Sequence, residues 1–109
     1  MANTYTRGTT IRLHTNPPFK NFAGVPTDPG TVTVRVTSVA DAVTTDYTLA
    51  AAQVVKDTSE WLNGDFYYDL VTAGLSNAKL GQWVYAWIGT GAAAAADKNT
   101  FLLVSEITP

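Results

Sequence analysis

The strongest pattern in the chain is the alternation from Gln82 to Gly89. Trp83, Tyr85 and Trp87 are interleaved with Val84, Ala86 and Ile88, between Gly81 and Gly89-Thr90-Gly91. A period of two with aromatic and β-branched side chains predicts a strand. Both faces are largely apolar, so this strand is expected to be central, covered on at least one face by another sheet, with Trp83, Tyr85 and Trp87 in the core. A second clean alternation runs from Thr31 to Thr37, with Val32, Val34 and Val36 assigned to the core and Thr31, Thr33, Arg35 and Thr37 to water. Residues 9–15 place Ile11 and Leu13 on one face and Arg12 and His14 on the other. Residues 64–70 divide into Phe66, Tyr68 and Leu70, assigned to the core, against Asp65, Tyr67 and Asp69. Residues 100–106 form the last strand, contributing Phe101 and Leu103 to the core. Val43–Leu49 and Gln53–Asp57 are less regular strand candidates.

The connections carry the turn residues. Asn16 to Gly30 holds Pro17, Pro18, Pro26 and Pro29, which supply no ladder donor, so it reads as loop. Within it, Phe19 and Phe22 either plug the end of the fold or meet another chain. Residues 58–63 connect two strands and carry Trp61 and Leu62, with the same two readings. Residues 71–80 read as a crossing loop. Gly91 to Asn99 reads as a long loop in which Ala92–Ala96 form either a helical turn or a small apolar pad. About seven short strands punctuated roughly every ten residues predict an all-β fold, an antiparallel sandwich or a barrel. The last two strands are expected to form a hairpin. Residues 1–109 are read as one domain, with 1–8 an N-terminal arm and 107–109 a short tail.

Composition narrows the function classes. The 109 residues carry a net charge of −2 with 15% charged side chains, so no basic patch for nucleic acid is indicated. No cysteine is present, which removes disulfides and thiolate metal sites. The N-terminus lacks the basic and apolar regions of a signal peptide, and no apolar run reaches the ~20 residues that span a bilayer. The expectation is a protein made in the cytoplasm, without a membrane partner.

The ordered motifs resemble the small immunoglobulin-like accessory proteins of tailed-bacteriophage and prophage virions. The residues concerned are Tyr5-Thr6-Arg7-Gly8 before Thr10-Ile11-Arg12-Leu13, and Pro26-Thr27-Asp28-Pro29 leading into Thr31–Val36. They continue with Gly64-Asp65-Phe66-Tyr67-Tyr68-Asp69-Leu70, Gly81–Gly91, the Ala92–Ala96 run and Phe101. The resemblance spans nearly the whole chain. It departs in the long segment between Val39 and Asp57 and at Asp65-Phe66. It implies an immunoglobulin-like sandwich and a non-enzymatic virion role in head decoration, neck or tail. The implied partners are the major capsid protein or neck and tail proteins, in a symmetric multi-copy assembly. The residues assigned to that contact are Phe19, Phe22, Trp61, Leu62, Ala93, Ala94 and Ala95. The alternative is a carbohydrate- or receptor-binding module of a tail or baseplate, presenting at least two of Trp61, Tyr67 and Trp87 side by side.

Candidate chemistry is sparse. His14 is the only histidine and falls on the polar face of a strand, where it reads as solvated. Ser38, Ser59, Ser76 and Ser105 lack a nucleophile-elbow context. One histidine with carboxylates dispersed along the chain does not spell a zinc set. Asp65 and Asp69, four apart on one strand, would stand about 13 Å apart, too far to share an ion. No phosphate-binding glycine motif occurs. The sequence therefore indicates no catalytic residue, no cofactor and no metal.

Overall fold

The computed structural model describes residues 3–15 and 18–105, with the side chains of 95–97 excepted. Pro17 and the proposed tail at 107–109 lie outside the described residues. Eight strands follow in order: β1 (Asn3–Thr6), β2 (Thr10–His14), β3 (Thr31–Ser38), β4 (Val43–Thr48), β5 (Val55–Lys56), β6 (Phe66–Val71), β7 (Gly81–Thr90) and β8 (Ala95–Val104). Two single 3-10 turns interrupt them, at Asn77–Lys79 and Gly91–Ala93. The described residues contain no helix long and apolar enough to cross a membrane.

The strands form two sheets, ordered β1-β8-β7-β3-β4 and β2-β6-β5. The neighbours are antiparallel except β1, which runs parallel to β8 with Asn3 opposite Phe101 and Thr6 opposite Val104. This is the strand arrangement of an immunoglobulin-like sandwich. The alternations dictate it physically. Ile11 and Leu13 of β2 turn inward, as do Val32, Val34 and Val36 of β3, Phe66 and Leu70 of β6, and Trp83 and Trp87 of β7. With Phe101 and Leu103 of β8 they form one continuous core between the sheets. A one-residue slip in any of these strands would expose its whole apolar set.

Four expectations need correction. The N-terminal arm at 1–8 contains β1, because the sheet edge along β8 offers unpaired backbone groups that Asn3–Thr6 satisfy. The expected loop at 91–99 is short: β8 begins at Ala95, opposite Gly89. Ala92 and Ala93 lie in the 3-10 turn, and from Ala95 onward ladder pairing to the ten-residue β7 overrides the helix propensity of the alanines. The other two concern the core. Tyr68 and Tyr85 are half-buried at its margin rather than inside it. Tyr68 stacks on Tyr47 with centroids 4.1 Å apart, and Tyr85 faces an open cleft.

Candidate functional site

Two features at the same end of the sandwich are candidates for function. The first is apolar and exposed. Lys20 pairs with Pro26, closing a small hairpin. Asn21 organises its tip: its side-chain Oδ1 accepts from the N–H groups of Ala23 (2.9 Å) and Val25 (3.0 Å). This leaves Phe22 fully exposed, at 108% of its reference area. Beside the hairpin base, the 58–64 connection presents Leu62 (79% exposed) and Trp61 (39% exposed).

These two segments are stitched together. Asp28 accepts from the Gly64 N–H at 2.7 Å and from Lys56 Nζ at 2.5 Å. Burial acts to raise the Asp28 carboxyl, but Lys56 and the Gly64 N–H outweigh it and hold the group below its ordinary value. The Phe19 N–H donates to the Gly64 carbonyl at 2.8 Å, and the Thr27 N–H to the Phe19 carbonyl at 2.9 Å. Gly64 itself adopts φ +84°, and a Cβ there would stand 2.3 Å from the Phe19 carbonyl oxygen. Only glycine permits that approach.

The residues assigned to a partner contact therefore separate. Phe22, Trp61, Leu62 and Ala94 are exposed. Phe19 and Ala93 are buried, at 6% and 1% exposure, and are corrected to core. Phe19 packs edge-on against Phe66, because a large ring beside Gly89 fills the space left by the missing Cβ. The side chain of Ala95 lies outside the described residues.

The second feature is a polar cleft of about 540 Å3 along the edge strand β2, where side chains of both sheets meet. Tyr5, Arg12, His14, Trp61, Asp65 and Tyr85 are among the residues that line it. His14, read as a solvated strand residue in a chain whose carboxylates are dispersed, is instead half-buried beside two of them. His14 Nε2 lies 3.0 Å from Asp57 Oδ2 and 3.3 Å from Asp65 Oδ1. One donor atom from each of the three falls within 4.8 Å of the others. Arg12, by contrast, lies across the Tyr67 ring at 3.8 Å and forms a two-point pair with Asp69.

The cluster is held by its surroundings. His14 Nδ1 is 2.7 Å from the Thr15 carbonyl oxygen, which can only accept, so Nδ1 carries the hydrogen. Asp57 is anchored through Oδ1 by the backbone N–H (2.9 Å) and hydroxyl (2.7 Å) of Ser59. Those donors, then His14, lower the Asp57 carboxyl to about 2. Asp65 sits just before β6 with its side chain 2% exposed, accepting from the Thr15 hydroxyl at 2.7 Å.

The arrangement does not form a hydrolase triad. Among the described residues, the hydroxyls that meet the cluster, those of Ser59 and Thr15, donate to the carboxylates of Asp57 and Asp65 rather than to the imidazole. Sequence reasoning missed this cluster because its members lie at 14, 57 and 65 on three separate segments, a spacing with no local signature. Trp87 is buried at 2% exposure and takes no part in a surface platform; Trp61 is exposed, and Tyr67 is half-buried with Arg12 across its ring. Set against family models, curated proteins and solved structures, the chain matches none of them.

Proposed function

We propose that the chain is a non-enzymatic structural subunit of a bacteriophage virion, attached in many copies to the capsid or neck surface. The observation that carries this reading is the apolar end. Phe22, Leu62 and Trp61 project from two loops tied to each other by Asp28, Lys56 and Gly64. Large apolar side chains held rigidly in solvent lose little conformational entropy when a partner covers them. Symmetry would multiply a modest contact by avidity. The order of the motifs along the chain supplies the virion context.

Image reconstruction of particles from the phage or prophage that encodes the chain tests the proposal. Density for the sandwich, with the Phe22 and Leu62 loops against capsid or neck protein, is the expected result. Particles lacking the chain at every surface site would overturn it. So would a coding frame lying within a metabolic operon rather than beside capsid or portal genes.

A second reading, a carbohydrate- or receptor-binding module of the tail, is favoured by one observation. Trp61 lines the polar cleft together with Tyr5 and Tyr85, the combination of ring faces and polar groups that sugars use. Glycan binding lost on Trp61→Ala, with capsid attachment absent, would replace the first reading with this one.

A further inference from the structure

We infer that His14, Asp57 and Asp65 form a binding site for a divalent ion of the zinc class at the wall of the polar cleft. The first ground is the convergence at the histidine. With Nδ1 committed to the Thr15 carbonyl, Nε2 is the atom that faces the two carboxylate oxygens, 3.0 and 3.3 Å away. Without metal a proton on Nε2 bridges to Asp57, and a divalent ion would bind by displacing that proton. A backbone carbonyl holding the far nitrogen is also the usual support of a metal-bound imidazole.

The second ground is Asp65. Its side chain is almost wholly buried yet lines the cleft, and its contacts with Thr15 and His14 are both made through Oδ1. Apart from His14, no cationic side chain among the described residues pairs with Asp57 or Asp65. Once an ion has displaced the Nε2 proton, the imidazole and two carboxylates carry −2, which one divalent ion balances.

Geometry and donor type select the ion. Three donors each about 2.0–2.2 Å from one zinc ion stand roughly 3–3.6 Å apart; the two His14 separations fall in that range, and Asp57 and Asp65 lie within 4.8 Å of each other. The imidazole favours zinc over magnesium or calcium, which prefer all-oxygen sets. Protein supplies three ligands, and the cleft leaves the remaining position to water or a ligand group. Asp57 and Asp65 flank the 58–64 connection, so the ion would also clamp the base of the loop that carries Trp61 and Leu62.

The test uses the untagged chain, freed of metal with a chelator and titrated with zinc, magnesium or calcium chloride in a calorimeter. His14 is the only histidine, so its imidazole NMR signals report the site directly. Zinc should bind one to one with a Kd below about 100 μM and shift the His14 signals, while magnesium and calcium should not compete at millimolar levels. His14→Ala and Asp57→Asn should abolish binding. Ser59→Ala keeps all three ligands but removes a donor behind Asp57, and should weaken binding about tenfold. Each variant's amide spectrum confirms that it is folded. Zinc that produces no imidazole shift, or binds above that Kd, or binds folded His14→Ala and Asp57→Asn as it binds the parent, overturns the inference.

Discussion

Trp83 and Phe101 stand directly opposite each other in the β7–β8 register and stack with ring planes 12° apart and centroids 5.7 Å apart. Phe101 also meets Tyr5 edge-on at 5.8 Å, so one ring joins the centre of the core to the edge strand β1. Phe101→Ala should therefore cost about 3–5 kcal/mol, the usual penalty for emptying a buried aromatic site. Leu102→Ala, one residue on and facing out at 39% exposure, should cost under ~1 kcal/mol. Urea denaturation of the two variants gives the comparison, and equal losses would contradict the register.

Gly64 makes a sharper case. Alanine there must adopt a positive φ and place its Cβ against the Phe19 carbonyl. Gly64→Ala should lose at least ~1–3 kcal/mol from backbone strain alone. Because the Phe19 ladder is tied to the 18–29 segment, hydrogen exchange should quicken first at the Phe19 and Thr27 amides.

Thr15 is buried with its hydroxyl used twice, donating to Asp65 and accepting from the Phe66 N–H at 3.1 Å. Thr15→Val keeps the shape and removes both bonds. The expected loss is about 1–3 kcal/mol, since a buried acceptor and a buried donor lose a partner together. Thermal unfolding of the variant measures it.

Asp28 gives a pH signature. Its folded carboxyl lies below the ordinary value of 3.8, burial opposing and Lys56 and Gly64 prevailing. A depressed acid contributes stability that is complete above its unfolded value and is lost as pH falls through the folded one. The parent should lose stability below about pH 4 on this account, and Asp28→Asn should flatten that part of the curve. Equilibrium unfolding at stepped pH supplies the test, and identical slopes for the two proteins would contradict the assignment.

Phe22 separates folding from attachment. Nothing in the fold covers its ring, so Phe22→Asp should change stability by no more than ~0.5 kcal/mol. The same substitution should abolish attachment to the particle, read by co-sedimentation of labelled protein with particles. Undiminished attachment would move the interface away from this end.

Much of the sandwich was legible because its strands are amphipathic. Val32, Val34 and Val36 leave no choice about which face of β3 turns inward. β1 was not legible, since Asn3–Thr6 has no apolar alternation and is a strand only because β8 offers it an edge. Phe19 and Phe22 show the same limit. Both are phenylalanines in one proline-rich loop, yet the first lies over Gly89 and the second stands at a hairpin tip. Composition cannot distinguish them, because the difference is where the chain turns.

By itself the sequence determined the two-sheet body: a side-chain period of two ties each apolar residue to a face, and burying those faces against each other is the favourable outcome. Only the tertiary structure decided the chemistry. His14, Asp57 and Asp65 meet because the pairing of β2 and β5 with β6 carries three distant segments to one corner. Local pattern records which way a residue points, whereas a cluster depends on what long-range pairing sets beside it.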